Sequence, residues 1–410
     1  TYYTTIYLSV CIYWITVKNK NELTFIMWGM ENLTNLEGIV VTTISRTHEE
    51  FSEMVSEHVG QYADIGAVMD PRIFSGGEYS PKFRFEDKKN KNLKNKSVYI
   101  ISTQGPFQNP QEMAMRTYMV AGTAKENGAK GVYLVATDLS YSRQDRGLDE
   151  DKKMMGEGNT AKLYADLLAK SGVDGVITLH SHNKKIKKYY EDNFKGNDEK
   201  VFFDVWPYSL LSHYLLTKSS LHIENNGENI VVVSPDKGAR KFSEKLRDSL
   251  YLNNIGMLYL NKARKVPNKP EEVTIDNPLL ENTDTLDGKT MIFPDDIIDT
   301  GGTMIKTVDW LNNNQGSNGL GTPKDYFFYF THSVMSGRAY AGIQNRLSKL
   351  NAKEFILTNT RPFISDNRSF RFKRNSTVLR TARFFGDMIL RHYKGENLEG
   401  AYDFRSKTQL

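Results

Sequence analysis

Residues 290–303 read TMIFPDDIIDTGGT, and the folding of this stretch decides the architecture. TMIF suits a strand, and MIKTVDWL (304–311) suits a helix, with Met304, Val308 and Leu311 at i, i+4 and i+7. The residues between them fall at a strand-to-helix turn, on the carboxyl edge of a sheet, where open α/β folds bind ligands. Gly301 and Gly302 permit positive φ and a close backbone approach. The hydroxyls of Thr300 and Thr303, with the N–H groups of a helix start, form a cradle for phosphate. Carboxylates repel phosphate, so Asp295, Asp296 and Asp299 must face something else. Sugar hydroxyls or Mg²⁺ suit hard oxygen acceptors, and a sugar phosphate fits both ends of the motif.

Outward from this turn, short β-branched runs alternate with amphipathic stretches. EGIVVTTI (37–44), SVYIIST (97–103), GVYLVAT (131–137), GVITLHS (175–181) and NIVVVSP (229–235) read as strands. NTAKLYADLLAK (159–170) reads as a helix with Ala161, Tyr164, Leu167 and Leu168 on one face. Nearly all-apolar strands alternating with helices predict an α/β fold with buried parallel sheets. EDKKNKNLKNK (86–96) reads as a hairpin loop, and KKIKKYYEDNFKGNDEK (184–200) as a helix running into a linker.

The 410 residues carry 54 basic and 49 acidic side chains, a net charge of +5. That mild excess suits anionic small molecules and is too weak to argue for nucleic acid. Cys11 is the single cysteine, so this chain has no internal disulfide and a reducing, cytoplasmic setting is expected. The opening run TYYTTIYLSVCIYWITV lacks the basic start of a secretory signal and is marginal for a membrane span. The first methionines are Met27 and Met30, and residues 1–29 are expected to be an extension outside the fold; a transit peptide or anchor is the other reading.

The TMIFPDDIIDTGGT turn resembles the ribose-phosphate motif shared by type I phosphoribosyltransferases and ribose-phosphate pyrophosphokinases, the synthetases of phosphoribosyl pyrophosphate (PRPP). Other segments choose the synthetases. SYSRQDRG (140–147) resembles their Tyr-Ala-Arg-Gln-Asp-Arg signature, for which phosphoribosyltransferases have no counterpart. Arg143 and Arg146 offer fork-shaped donors for phosphate oxygens, and Gln144 can read a base or sugar edge. FSGGE (74–78) resembles Phe-Ser-Asp-Gly-Glu, which implies that Phe74 stacks on adenine and Glu78 accepts from its amino group, reached from a neighbouring subunit; Gly76 departs from the family's Asp. STQGP (102–106) resembles Ser-Thr-x-x-Pro.

VITLHSHNKKIKKYY (176–190) aligns with the Asp-Leu-His segment so that His182 takes the place of the metal–nucleotide histidine, while His180 and Ser181 replace the Asp and Leu. VVVSPDKGARKF (231–242) resembles Val-Val-Ser-Pro-Asp-x-Gly-Gly, which gives Asp236 a place at the metal and puts Ala239 where a glycine stands. YLNKARKVPNK (259–269) falls at the start of the family's mobile catalytic loop, with Lys262 and Arg264 as the retained catalytic cations. FYFTHSVMSGRA (328–339) and LTNTRPFISDN (357–367) resemble later family segments.

The resemblance implies two similar phosphoribosyltransferase-like α/β domains: residues 30–200 on the ATP side and 201–384 on the ribose 5-phosphate side, with 385–410 packing back as a helix on the first. It implies diphosphoryl transfer from Mg²⁺-ATP to ribose 5-phosphate. Asp299, Thr300, Gly301, Gly302 and Thr303 would grip the 5-phosphate and Asp295 and Asp296 the ribose hydroxyls. Arg143, Gln144, Arg146 and His182 would hold ATP, with Mg²⁺ near His182 and Asp236. A homo-oligomer, commonly a hexamer built from dimers, or a hetero-oligomer with another synthetase subunit is expected, and neither nucleic acid nor membrane is an expected partner. A catalytically silent regulatory subunit is the alternative the His180, Ser181, Gly76 and Ala239 departures favour and Lys262 and Arg264 oppose. A type I phosphoribosyltransferase is the remaining one.

Overall fold

The computed structural model describes residues 38–44, 49–59, 72–83, 92–104, 109–145, 156–194, 201–264, 273–313, 320–335, 352–361 and 375–398. The expected extension over 1–29 and Arg146 lie outside the described residues.

Two sheets are built in chain order. The first places β1 (Ile39–Thr43), β4 (Ser97–Ser102), β5 (Gly131–Ala136), β6 (Gly175–Leu179) and β7 (Phe202–Val205) side by side, all parallel. The second has the order β10-β9-β8-β11-β12-β13-β14. Its strands are β8 (Ile230–Ser234), β9 (Gly256–Arg264), β10 (Val273–Glu281), β11 (Thr290–Ile298), β12 (Asp325–Ser333), β13 (Ala352–Thr358) and β14 (Ser376–Leu379). Only the edge pair β9–β10 is antiparallel in this sheet. A two-stranded hairpin, β2 (Arg72–Ile73) and β3 (Tyr79–Ser80), stands apart.

Eight helices are described: α1 (Glu49–Val59), α2 (Pro110–Glu126), α3 (Thr160–Lys170), α4 (Lys185–Asn193), α5 (Tyr208–Thr217), α6 (Arg240–Leu250), α7 (Gly302–Asn313) and α8 (Ala382–Tyr393). The fold is thus mixed α/β with parallel central sheets, as the strand composition predicts. IVVTT and IVVVS are buried along their whole length, the behaviour of strands covered by helices on both faces. Local chemistry sets the helix starts. Asn109 accepts from Gln111 N ahead of Pro110, and Asn159 accepts from Lys162 N, each satisfying a backbone donor that the first turn leaves unpaired.

The first sheet extends past residue 200, where the division between halves was expected. FFDV (202–205) pairs with β6 and buries Phe202 and Val205, so one more strand belongs to this sheet. Helix α8 then lies on the first half. Phe385 meets Phe51 of α1 edge-on at 6.1 Å, and His58 Nε2 pairs with Asp387 Oδ1 at 2.5 Å. His392 is enclosed by Tyr99, Tyr133 and Phe203, and the Tyr99 hydroxyl bonds its Nδ1 at 2.9 Å. Burial holds that imidazole down at about 4, so it packs as a neutral ring. Among the described residues no helix is long and apolar enough to cross a membrane.

Candidate functional site

Strand β11 runs on to Ile298 and carries Asp295 and Asp296 at its carboxyl end. Asp295 Oδ1 accepts from the Asp296 backbone N–H at 3.0 Å, which fixes one carboxylate beside the other. The chain then turns through Asp299, Thr300 and Gly301, where φ is +69°, a conformation that a Cβ would strain. Helix α7 follows at once: Ile305 N donates to Gly301 O at 2.9 Å, and Gly302 N to Thr300 Oγ1 at 3.4 Å. The Ile298 carbonyl accepts from both Val334 and Met335, which pins the turn to the end of β12. A cavity of about 200 Å³ opens here, walled by Asp295, Asp299, Thr300, Gly301 and Gly302, with Phe330 behind and Arg143 reaching in from the first half. The Thr303 backbone lies in α7, and its side chain is outside the described residues.

Two side chains expected on the nucleotide side cross to this turn. Arg143 donates to Asp299 Oδ2 at 3.2 Å, and His182 Nδ1 donates to Asp296 Oδ2 at 2.6 Å. The hydrogen bond to Asp296 raises the His182 pKa against the opposing effect of its partial burial. Burial would raise the Asp296 carboxyl, but the bond to His182 and its charge, with His180 nearby, hold it well below the usual range. Gln144 is set by its own neighbours: its Oε1 accepts from Thr160 Oγ1, and its N–H reaches Tyr141 O at 2.9 Å. Asp145 ties this loop to the His182 segment, accepting from Asn183 Nδ2 and, through its carbonyl, from Tyr189 Oη at 3.0 Å.

His180 and His182 are used in opposite ways. His180 has φ +48°, is buried, pairs with Thr331 Oγ1 at 2.8 Å and lies 4.2 Å from the Phe242 ring. Burial drives it down to about 3, so it is a neutral packing residue between the halves. The same interface carries groups the sequence did not single out. Arg361, just after β13, donates to Asp138 Oδ2 at 2.6 Å and to Gln104 Oε1 at 2.7 Å. Thr137 Oγ1 donates to Thr360 O at 2.6 Å, and His332 Nε2 to Leu179 O at 2.9 Å. Asp138 is fully enclosed; burial opposes its charge, yet His332 and Arg361 keep its pKa below the ordinary value. Arg143 lies five residues beyond Asp138, so the clamp also locates Arg143.

Asp236 sits at the β8–α6 turn, where its Oδ1 accepts from Gly238 N at 2.9 Å and Ala239 N at 3.1 Å. Ala239 has φ −75°, so it fits where the family's glycine stands. Phe74 and Glu78 close the β2–β3 hairpin, with Phe74 N bonded to Glu78 O at 2.9 Å, and Phe74 is 46% exposed. A Cβ at Gly76 would meet nothing within 4 Å, so the hairpin tolerates the family's aspartate sterically. Lys262 and Arg264 lie on β9, paired with Ile275 and Val273 of β10; their side chains are outside the described residues. The expected loop start is therefore the end of an antiparallel ribbon.

Among the described residues no three or more His, Cys, Asp and Glu gather into a metal cage. The Nδ1 bond of His182 to a carboxylate leaves Nε2 as the nitrogen able to ligate, the usual support for a metal-bound histidine.

A parallel sheet with a Thr-Gly-Gly turn at the head of a helix and paired acids on the preceding strand places the chain among α/β proteins of phosphoribosyltransferase-like fold. The comparisons agree domain by domain. Residues 217–317 match the phosphoribosyl transferase domain, and residues 40–172 match the N-terminal domain of ribose phosphate pyrophosphokinase. The chain belongs to the ribose-phosphate pyrophosphokinase family, as a divergent member. It is 27% identical over 367 residues to the ribose-phosphate pyrophosphokinase of Mycobacterium leprae, covering 87% of this chain and 94% of that one. It is 29% identical over 360 residues to that of Bacillus cereus, covering 86% and 93%. The crystal structure of phosphoribosylpyrophosphate synthetase from Mycobacterium smegmatis shares the fold, with TM-score 0.64 and 24% identity over 88% of this chain and all 100% of that one.

Proposed function

We propose that the protein is an active ribose-phosphate diphosphokinase. The observation that carries this reading is the pair of contacts His182–Asp296 and Arg143–Asp299, which bring residues expected on the nucleotide side against residues expected on the sugar-phosphate side. Ribose 5-phosphate would seat its phosphate on the Asp299–Gly302 turn and the head of α7, and its ring hydroxyls on Asp295 and Asp296. The C1 oxygen then attacks the β-phosphorus of ATP. The new bond joins C1–O to that phosphorus, the bond from the phosphorus to the α,β-bridging oxygen breaks, AMP leaves with that oxygen, and the hydroxyl proton passes to solvent.

Such a step is accelerated mainly by positioning and charge stabilisation. Arg143 and Gln144 would orient the nucleotide, and Lys262 and Arg264, brought up by the β9–β10 ribbon, would offset charge on the transferring group. Phe74 and Glu78 would serve an adenine bound by a neighbouring copy, which makes the enzyme an oligomer. His182 Nε2 and Asp236 Oδ2 would hold Mg²⁺, which when bound neutralises phosphate charge. A silent regulatory subunit is the second reading, favoured by the burial of His180 where the family has an acid.

The test is AMP formation by the full chain with Mg²⁺-ATP, with and without ribose 5-phosphate, beside Lys262→Ala. AMP that requires ribose 5-phosphate and is lost in the variant is the expected result. A folded chain that forms none would leave the regulatory reading in its place.

A further inference from the structure

The second sheet lets go of β9 at Tyr259. Strand β8 runs beside β9 only from the pair Val231–Gly256 to the pair Ser234–Tyr259, so beyond that residue β9 is paired with β10 alone. The register between β9 and β10 also breaks at this level. Between Asp276 and Leu279 the edge strand takes in Asn277 and Pro278 opposite Leu260. A bulge bends a ribbon and interrupts its ladder, and proline has no N–H to give to it. A two-stranded ribbon alone is marginal in water. The direction in which Asn261–Arg264 leave the sheet therefore depends on side chains at the ribbon's base.

Tyr259 meets three elements there. It is 5% exposed, in the core that also holds Phe242 and Leu246 of α6. Its hydroxyl lies 2.8 Å from Glu281 Oε2 on β10 and 3.3 Å from Glu244 Oε1 on α6. One hydroxyl proton serves one carboxylate at a time, and the shorter bond ties β9 to β10. The Arg240 guanidinium covers the ring at 4.3 Å from its centroid and donates through Nε to Glu244 Oε1 at 2.9 Å. Arg247 Nη1 stands 4.0 Å from Glu281 Oε2. Each acid beside the hydroxyl thus has an arginine of α6. Burial first, then Glu281 and Glu244, push the Tyr259 pKa up, so the hydroxyl stays a donor. Arg240 opens the helix that follows the Asp236–Ala239 turn, and the same helix head supports turn and ribbon.

We propose that Tyr259 is a positioning residue: it fastens the base of the β9–β10 ribbon to α6 and so sets where Lys262 and Arg264, three and five residues on, reach the transferring group. The catalytic consequence rests on the proposed diphosphoryl transfer; the anchor itself does not. In that reading the substrates are held by other elements, the Asp299–Gly302 turn and the Arg143 loop. Loosening the ribbon should accordingly slow the transfer step and spare binding.

The test compares Tyr259→Phe with the wild-type full chain by amide hydrogen exchange and by steady-state AMP formation. The variant keeps the ring under Arg240 and removes only the hydroxyl. Amides of 260–264 and 273–276 should exchange at least about tenfold faster, while those of β8 and α6 keep wild-type rates. The kcat should fall at least about tenfold, with the KM for ribose 5-phosphate unchanged within about twofold. Glu281→Gln, which keeps an acceptor oxygen, should lose less than Glu281→Ala. Wild-type exchange in the ribbon of Tyr259→Phe overturns the anchor whatever the activity does. Faster exchange spread evenly over β8 and α6 marks a general loss of stability and overturns it equally. Faster ribbon exchange with unchanged kcat overturns the positioning role. A wild-type chain that forms no AMP overturns the proposed reaction instead, and the exchange rates then judge the anchor alone. Should Tyr259→Phe fail to fold, Glu281→Ala, at a side chain 55% exposed, carries both readouts.

Discussion

Two strand-to-helix turns of the second sheet, 234–239 and 299–302, occupy equivalent places and handle their acids differently. In the first, Asp236 lies inside the turn and caps its own helix through Gly238 N and Ala239 N. In the second, Asp295 and Asp296 stay on the strand, Gly301 takes the left-handed backbone, and Thr300 makes one long bond of 3.4 Å to Gly302 N. A carboxylate committed to the N–H groups of its own helix closes that end to anions. Acids held upstream stand away from the helix head, and Asp296 meets His182 instead.

This contrast sets an order of expected effects. The largest is on turnover: Asp296→Asn should slow AMP formation by about a hundredfold or more, the scale for losing one preorganised polar group at a reacting centre. Asp236→Asn keeps an amide oxygen for the cap and should lose much less; equal losses in a rate assay would erase the distinction. Next comes the backbone. Gly301→Ala places a Cβ at φ +69° and should cost roughly 1–2 kcal/mol, with a matching rise in the KM for ribose 5-phosphate. Gly238→Ala meets only Asp236 Oδ1, at 3.2 Å, and calorimetry should show a smaller shift.

Third, Asp236→Ala removes a helix cap and should lower stability by about 1 kcal/mol, read from the denaturant midpoint. The smallest effect is a pH dependence. His182 is raised in the fold, so its contribution is fully present below about 6.5 and is lost as pH climbs through the raised value. Asp296 is depressed, so its share is present above about 4 and lost only in strong acid. The stability gap between wild type and His182→Gln should therefore be widest between those limits and close at alkaline pH. A gap that widens with alkalinity would mean the pairing is misread.

The strands were legible because a strand buried on both faces must be apolar almost throughout, as in IVVTT and IVVVS. The sugar-phosphate turn was legible because its residues are contiguous, so the chemistry is printed in one run. The interface between the sheets was not. Arg361 and Asp138 lie 223 positions apart, and each alone looks like a charged residue at a strand end. His180 was legible only as a departure from the family's aspartate; its packing against Phe242, from a backbone at φ +48°, depends on a residue 62 positions away. The β9–β10 ribbon was missed because Lys262 and Arg264 break the apolar alternation that marks a strand.

The contacts linking the sheets bear on how such a protein can be assembled and reshuffled. Arg361–Asp138, Thr137–Thr360 and His332–Leu179 each have one end in either half. Separating the halves would strand a guanidinium, a carboxylate and an imidazole on surfaces shaped to exclude water, at about 1–3 kcal/mol for each polar group and more for the charges. The two sheets, alike in plan, are therefore not interchangeable parts. A substitute for either must bring the matching partner groups with it, so the pair is inherited and engineered as one piece.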